Sequence, residues 1–226
     1  MPEIARPVAI AAFDFDGTLT RGDSFRFFLL RGLGWPRFLL ALLRSSPWLL
    51  GYALRLVRND VAKARLMRVA LSGRSVAEMA DWTTRWLAQD LPGELREWTL
   101  ARLAWHQQAG HCCVLVSASP DIYLRRAALS LGFDGLLCTE MQVQGGVMTG
   151  GMRTLNCHGE EKVVRLKQWL NERFGSESLP GVARYAYGDT AGDKPMLRWA
   201  HHAWYRSQPW TAAAAAADHS AGGAKG

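Results

Sequence analysis

Two aspartates separated by one residue follow an apolar segment near the start of the chain. Residues 8–13 are apolar and lead into Asp14 and Asp16, after which Gly17 lets the backbone turn sharply. Residues i and i+2 of an extended strand project to the same side, so we expect both carboxylates to lie together where the strand ends. A bound Mg²⁺ would relieve the repulsion between these charges, whereas the alternative is a solvated strand end that carries two acids.

Four more polar residues stand at comparable places along the chain. Ser117 ends a second apolar segment, and Lys162 falls in the first turn of a predicted helix. Asp189 and Asp193 follow a later apolar segment. Ligands of an open parallel sheet bind at the carboxyl ends of its strands, so these side chains should meet the two N-terminal aspartates there.

Each of these residues also has an ordinary structural interpretation. Ser117 could cap a helix, Lys162 could face solvent, and the two later aspartates could cap the turn and the helix that follow them. A lysine in the first turn of a helix opposes the helix dipole, however. An anion in front of Lys162 would explain that position better than solvent does.

Apolar segments of strand length alternate with segments of helical periodicity, which predicts an α/β fold with a Rossmann-like parallel sheet and helices on both faces. The last twenty residues, 207–226, are of low complexity and predict a disordered tail outside the fold. Strands are predicted at residues 8–16, 112–116, 135–139, 182–187 and 202–206, helices at 94–108, 120–131, 160–174 and 194–200, and a glycine-turned hairpin at 141–152.

A largely helical insertion at residues 21–90 interrupts this alternation after the first strand. Its residues 25–58 contain six arginines and no acidic residue, and Pro36 and Pro47 are expected to break the apolar stretches between the arginines. No charge-free run reaches the roughly 18–20 residues that a membrane-spanning helix needs. Two compatible interpretations remain, a helical cap that packs on the main body and a basic amphipathic hairpin that lies on a membrane surface.

The composition is that of a folded, basic protein. The chain has 226 residues, 49% of them hydrophobic, which suits one domain with an insertion. Lys and Arg outnumber Asp and Glu by 27 to 20, and the net charge of +7 favours anionic partners. Four cysteines without CxxC spacing and the absence of a signal peptide predict a cytoplasmic protein, or one peripheral at the inner face of the membrane.

The polar residues together resemble the four motifs of a known enzyme superfamily. Residues 13–18 (FDFDGT), Ser117, Lys162 and residues 188–193 (GDTAGD) are similar to the motifs of the haloacid dehalogenase (HAD) superfamily of hydrolases. The insertion resembles the helical cap of its phosphoserine-phosphatase-like branch, subfamily IB. This resemblance implies a HAD core at residues 1–20 and 91–206 with a cap at 21–90.

The resemblance also implies a chemical role for the acidic residues. Asp14 would attack phosphorus and form an aspartyl-phosphate, and Asp16 would act as general acid and then as general base. Mg²⁺ would be held by the Asp14 carboxylate, the backbone carbonyl of Asp16 and the carboxylate of Asp189. The chain would then be a Mg²⁺-dependent phosphomonoester hydrolase.

The remaining motif residues are expected to bind the phosphoryl group and to support that binding. Ser117 and Lys162 would hold the phosphoryl oxygens, and Asp193 would orient Lys162 or a metal-bound water. Asp23 is the counterpart of an acidic residue with which phosphoserine phosphatases contact their substrate. No basic residue of the insertion aligns closely with the arginine that those enzymes use for the substrate carboxylate, so the sequence leaves the substrate unassigned.

Two alternatives accompany this prediction. The basic insertion resembles that of membrane-associated phosphatidylglycerophosphate phosphatases, so the partner would be a small phosphorylated metabolite or a phospholipid headgroup, with residues 25–58 on the membrane. A catalytically idle anion-binding module is the non-enzyme alternative. Nucleic acid is not an expected partner, because the basic residues lie in an apolar insertion without a recognition motif.

Overall fold

The computed structural model describes residues 7–175 and 180–211. Its strands are β1 (Ala9–Phe13), β2 (Cys112–Pro120), β3 (Gly135–Thr139), β4 (Met141–Gln144), β5 (Val147–Met152), β6 (Ala183–Gly188), β7 (His202–Tyr205) and β8 (Gln208–Pro209). Six of them form one sheet in the order β3-β2-β1-β6-β7-β8, in which only β8 runs antiparallel to its neighbour. The predicted α/β fold with a mostly parallel sheet is confirmed.

Nine helices accompany the strands in the described part of the chain. They are α1 (Ser24–Leu33), α2 (Trp35–Ala53), α3 (Asn59–Leu71), α4 (Val76–Gln89), α5 (Leu91–Glu94), α6 (Glu97–Gln108), α7 (Asp121–Ser130), α8 (Glu160–Phe174) and α9 (Lys194–Trp199). The first four fall within the insertion predicted at residues 21–90. Its division from the core remains a prediction, because Phe28 and Trp86 of the insertion share one apolar cluster with Phe15 and Tyr123.

Strand β1 lies at the centre of the sheet and places the candidate site. It pairs in parallel with β2 on one side and with β6 on the other, so that Phe13 aligns with Leu115 and with Tyr187. The chain moves from β1 to β2 first and reaches β6 only later, so the direction of the crossovers reverses beside β1. Such a reversal opens a crevice at the carboxyl ends of the strands, where ligands bind in this class of fold.

Alternate residues of β1 pack into two apolar clusters on opposite faces of the sheet, as the period of a strand requires. Ala11 and Phe13 belong to the cluster that includes α6, α7 and the insertion. Ile10 and Ala12 belong to the cluster that includes α8 and α9. The sheet is therefore covered on both faces, which explains why its central strand is apolar throughout.

The helix predicted at residues 94–108 is interrupted in the structure. Leu95 forms an antiparallel bridge with Thr20, and the backbone N–H of Arg96 donates to the carbonyl of Leu19 at 2.8 Å. Backbone groups that bond to another segment cannot also bond within a helix. The chain therefore leaves α5, pairs briefly with the segment after β1, and begins α6 at Glu97.

The expectation that Pro47 breaks the insertion is wrong, because α2 runs through this residue from Trp35 to Ala53. A proline inside a helix lacks the N–H that would bond to the carbonyl four residues earlier, here that of Leu43. The hydroxyl of Ser46 donates to that carbonyl at 2.8 Å instead. The adjacent serine thus satisfies the acceptor that Pro47 leaves open.

The predicted hairpin is present as β4 and β5, which form a sheet of their own and bond to the insertion. The N–H of Met148 donates to the carbonyl of Arg74 at 2.8 Å, and the N–H of Gly73 donates to the carbonyl of Met148 at 2.9 Å. A Cβ atom on Gly150 would lie 2.6 Å from the Cα atom of Arg68. The hairpin is therefore bonded along its backbone to the turn before α4, and it packs closely on α3.

The C-terminal end of the described chain differs from the prediction. Residues 207–226 are predicted to lie outside the fold, yet β8 pairs with β7 and the N–H of Trp210 donates to the carbonyl of Ala203 at 2.8 Å. The rest of the predicted tail, residues 212–226, lies outside the described residues. Among the helices that are described, none has both the length and the apolar character needed to cross a bilayer.

Candidate active site

Lys162 and two aspartates form a buried ionic cluster at the carboxyl end of the central strands. Asp14 follows the last residue of β1, and its N–H donates to the carbonyl of Tyr187 on β6 at 3.0 Å. The Nζ atom of Lys162 lies 2.6 Å from Oδ1 of Asp14 and 2.6 Å from Oδ1 of Asp193. It also donates to the carbonyl of Val116 on β2 at 2.9 Å. One ammonium group thus contacts the residue after β1, strand β2 and the segment after β6.

Asp193 is fixed on its other oxygen by the loop that follows β6. Its Oδ2 atom accepts from the N–H of Asp189 at 3.2 Å, the N–H of Thr190 at 2.9 Å and the hydroxyl of Thr190 at 2.7 Å. A Cβ atom on Gly188 would lie 2.4 Å from the Cβ atom of Asp193, so only glycine fits there. Asp193 therefore positions Lys162 and shapes the loop at the same time.

The loop after β1 closes against Asp189. The hydroxyl of Thr18 donates to Oδ1 of Asp189 at 3.0 Å. Gly17 has a φ of +77°, a conformation that glycine adopts without penalty, and a Cβ atom there would lie 2.2 Å from Oδ2 of Asp189. The glycine after the two aspartates is thus required for the approach of the third carboxylate.

Burial and like charges shift the titration of this cluster. Burial and repulsion from Asp193 raise the pKa of Asp14 well above its usual value, although Lys162 opposes the shift. Burial by itself would lower the pKa of Lys162, but attraction to Asp14 and Asp193 outweighs it and raises that pKa. Burial opposes the ionisation of Asp193 as well, yet attraction to Lys162 lowers its pKa overall. Burial also raises the pKa of Asp189.

Three carboxylates converge closely enough to share a cation. One oxygen each of Asp14, Asp189 and Asp193 lies within 4.8 Å of the others. Three carboxyl groups face Lys162, so ionisation of all three would leave excess negative charge in a buried place. All-oxygen ligands and an uncompensated charge suit a hard divalent cation such as Mg²⁺. The donor set therefore fits the predicted metal.

The Asp16 side chain lies apart from these carboxylates. The structure ends β1 at Phe13, so the strand rule that would align Asp14 with Asp16 no longer applies to them. Oδ1 of Asp16 accepts from the N–H of Ser24 at 2.7 Å and from its hydroxyl at 2.5 Å, and Oδ2 accepts from the hydroxyl of Ser119. The two aspartates are thus held by different partners, which suits two different chemical roles.

Ser117 and Asp23 lie beside this arrangement. Ser117 is buried at the end of β2, next to the carbonyl that Lys162 contacts, and its hydroxyl oxygen accepts from the N–H of Ser119 at 3.1 Å. Asp23 caps the N-terminus of α1 and accepts from the N–H of Arg26 at 3.1 Å. Asp23, predicted as a substrate contact, is thus a helix cap in this structure, one residue from the serine that binds Asp16.

Lys63 of α3 is a residue at this site that the sequence does not single out. Its Nζ atom donates to the carbonyl of Ala118 at 2.7 Å and so reaches from the insertion to the C-terminal part of β2. Burial lowers the pKa of Lys63, while the nearby carboxylates of Asp16 and Asp23 oppose that shift. Several basic residues surround Lys63 in the sequence, and no spacing rule shows which of them points inward.

The chain is similar to several known proteins. The family model for haloacid dehalogenase-like hydrolases matches residues 11–198. Protein CicA of Caulobacter vibrioides is 36% identical over 205 residues, which are 90% of this chain and 88% of the relative. A histidinol-phosphatase of Neisseria meningitidis is 24% identical over 200 residues, which are 84% of this chain and 86% of the relative.

A solved structure shares the architecture as a whole. A substrate-bound phosphoserine phosphatase superposes with a TM-score of 0.61 at 15% identity and covers 90% of this chain and 87% of its own. An identity this low shows a common fold. The α/β architecture that the resemblance implies is therefore present in this chain.

Proposed function

The chain belongs to the haloacid dehalogenase-like hydrolase family and is a phosphatase, and on that basis we propose that it hydrolyses phosphomonoesters through an aspartyl-phosphate on Asp14, with Mg²⁺ as cofactor. One observation carries the proposal. The buried Lys162 ammonium contacts Asp14 and Asp193 at 2.6 Å each, directly beside the third carboxylate, Asp189. Such a cluster brings a nucleophile, a cation and a metal site to one point.

The first step transfers the phosphoryl group to the enzyme. Because Lys162 holds Oδ1 of Asp14, Oδ2 is the oxygen that attacks phosphorus. Asp16 gives its proton to the leaving oxygen as the P–O bond breaks, so an alcohol departs rather than an alkoxide. Lys162 and the Ser117 hydroxyl lie where they can donate to the phosphoryl oxygens as negative charge develops.

The second step releases phosphate. Asp16, now ionised, takes a proton from water as that water attacks the aspartyl-phosphate, and Asp14 is restored as a carboxylate. Asp14, Asp189 and the backbone carbonyl of Asp16 would hold Mg²⁺, while Asp193 keeps Lys162 in place. Bound Mg²⁺ supplies positive charge to the transferring phosphoryl group.

An assay of phosphate release with Asp14→Asn tests this mechanism. We expect the wild type to release phosphate from phosphomonoesters only with Mg²⁺, and Asp14→Asn to release at least about 10³-fold less, because a covalent route needs its nucleophile. Asp81→Asn is the matched control, since Asp81 is exposed on α4. Equal activity of wild type and Asp14→Asn would exclude both the mechanism and an active role for the cluster.

The residues on the leaving-group side support a small phosphorylated metabolite as substrate. Lys63 from the insertion contacts the Ala118 carbonyl and is attracted by the carboxylates of Asp16 and Asp23, so charges of both signs lie near the general acid. A screen across phospho-amino acids, sugar phosphates and histidinol phosphate, with Lys63→Met as the comparison, tests this. We expect Lys63→Met to lower kcat/KM most for metabolites with an anionic group, and an equal loss for all metabolites would contradict the assignment.

A second candidate substrate is an anionic phospholipid, because part of the insertion combines exposed apolar side chains with arginines. Its segment 25–58 has six arginines and no acid. The side chains of Leu43, Leu50 and Leu54 are 61%, 62% and 68% exposed, and Leu56 is 80% exposed. Each basic residue near an anionic bilayer contributes about 1 kcal/mol of attraction. This segment of the insertion therefore suits a membrane interface.

Flotation with phosphatidylglycerol vesicles tests this second candidate. We expect the wild type to float with the vesicles, and Leu43→Glu combined with Leu50→Glu to remain in the dense fraction. Leu129→Glu is the matched control, because Leu129 is 74% exposed on α7 of the main body. Failure of the wild type to float, or an equal loss with Leu129→Glu, would contradict membrane binding and leave the soluble metabolites.

A further inference from the structure

The Asp16 carboxyl is held from both sides by groups of two separate segments. Ser24, the first residue of α1 in the insertion, donates its N–H and its hydroxyl to Oδ1 of Asp16. Ser119, the residue before the last of β2, donates its hydroxyl to Oδ2. Both serines are buried, so water does not compete freely for these bonds. Three donors on two oxygens fix the plane of the carboxyl group.

Tyr123 extends this arrangement and sets the direction of its hydrogen bonds. The Tyr123 hydroxyl lies 2.9 Å from the hydroxyl of Ser24 and is fully buried on α7. Burial and the nearby Asp16 raise the pKa of Tyr123 well above its usual value, so the phenol keeps its proton at neutral pH. The Ser24 hydroxyl donates its hydrogen bond to Asp16, so it accepts the hydrogen bond from the Tyr123 hydroxyl.

We propose that Ser119 and Tyr123 are positioning residues for general acid–base catalysis, because they hold the Asp16 carboxyl group towards the leaving-group oxygen. Ser119 acts directly on Asp16, and Tyr123 acts through Ser24. This inference rests on the proposed function, since it requires Asp16 to transfer a proton. Neither residue touches the reacting phosphorus in this role.

The geometry explains why a hydroxyl at position 119 matters. Asp16 stands three residues beyond the end of β1, in a loop, and its side chain rotates unless both oxygens are held. Removing the Ser119 hydroxyl frees Oδ2 and leaves Oδ1 bound to the first turn of α1. The Asp16 carboxyl group is then held by the insertion alone, so it delivers its proton to the leaving oxygen less often. General acid–base catalysis as a whole contributes about 10²–10⁴-fold, so losing part of the alignment removes part of that factor.

The test compares substrates whose leaving groups differ in basicity. An alkyl phosphate releases a strongly basic oxygen that needs the proton of Asp16, whereas p-nitrophenyl phosphate releases a weakly basic one that does not. We expect Ser119→Ala to lower kcat/KM about 10–100-fold for the alkyl phosphate and less than about threefold for p-nitrophenyl phosphate. Tyr123→Phe should lower kcat/KM for the same two substrates by smaller factors. Ser119→Thr should restore most of the activity that Ser119→Ala loses.

A double-mutant cycle separates positioning from a general effect on the fold. In an Asp16→Asn background, Ser119→Ala should cause no further loss that depends on the leaving group, because the residue on which it acts is gone. Ser130→Ala, an exposed serine on α7, is the control and should leave both substrates unchanged.

Three results would overturn the inference while the proposed function stands. They are an equal loss on both substrates, no loss on either, and a loss that persists unchanged in the Asp16→Asn background. The proposed function fails separately, if wild type and Asp14→Asn release phosphate at the same rate.

Discussion

Replacement of Lys162 by methionine is expected to destabilise the protein strongly. The Lys162 side chain is 2% exposed, and those of its partners Asp14 and Asp193 are 8% and 2% exposed. Methionine keeps most of the apolar stem of lysine, so the variant removes the charge and three hydrogen bonds with little change in packing. Two carboxylates then remain buried without their cation.

The size of the loss follows from the cost of an uncompensated buried charge. Removing one partner of a buried ion pair costs about 3–5 kcal/mol. That is a large share of the roughly 5–15 kcal/mol by which domains are stable. In a chain of this size each kcal/mol shifts the Tm by roughly 2–4 °C, so we expect a decrease of about 6–20 °C.

Urea denaturation with EDTA at pH 7 measures this loss without interference from a bound cation. We expect Lys162→Met to lower the urea midpoint at an unchanged m value. Lys167→Met is the matched control, because Lys167 is exposed on the same helix, and it should change the free energy of unfolding by less than about 0.5 kcal/mol. Adding Asp193→Asn to Lys162→Met should recover part of the loss. A loss below about 1 kcal/mol, or one no larger than that of the control, would refute the reasoning.

Three other substitutions have definite expected outcomes. Gly17→Ala should lower kcat/KM by about 100-fold or more and weaken Mg²⁺ binding in a titration, because its Cβ would lie 2.2 Å from Asp189; an active variant contradicts this. Burial lowers the pKa of His106 to about 3, so the folded state is stabilised above pH 6.5 and loses that contribution as the pH falls towards 3. The urea midpoint should therefore fall between pH 7 and pH 4, and His106→Gln should remove most of this decrease. An equal decrease in the variant would contradict the assignment to His106. Pro47→Ala should raise the free energy of unfolding in urea by about 1–3 kcal/mol, since alanine favours the helix interior and restores the missing N–H. No increase would contradict this and show that the Ser46 hydroxyl compensates in full.

The sequence predicts well the parts of the site that depend on strand ends. Asp14, Ser117 and Asp189 each follow an apolar segment, and in a parallel sheet such positions meet at one edge whatever lies between them. Lys162 was predicted from an electrostatic conflict, a cation in the first turn of a helix, and the structure resolves the conflict with two carboxylates. The chemical roles of these residues remain predictions for the assays to test.

Side-chain partners in separate segments could not be predicted in this way. Ser119 is 103 positions from Asp16 in the sequence, and Lys63 is 55 positions from Ala118. Neither pair has a periodic signal, because the contacts depend on how the insertion docks on the sheet. The same limit applies to Pro47, whose effect on α2 was decided by the hydroxyl of the residue before it.

The hairpin of β4 and β5 has a consequence for exchanging parts between members of this family. By position in the chain it belongs with the sheet, yet its backbone bonds to the turn between α3 and α4, around Gly73 and Arg74. A chimaera that replaces residues 21–90 alone would pair a foreign turn with the resident hairpin, and the tight contact at Gly150 leaves little room for a different backbone. Residues 141–152 must therefore be transferred together with the insertion. The smallest exchangeable unit of this protein consists of two pieces of chain.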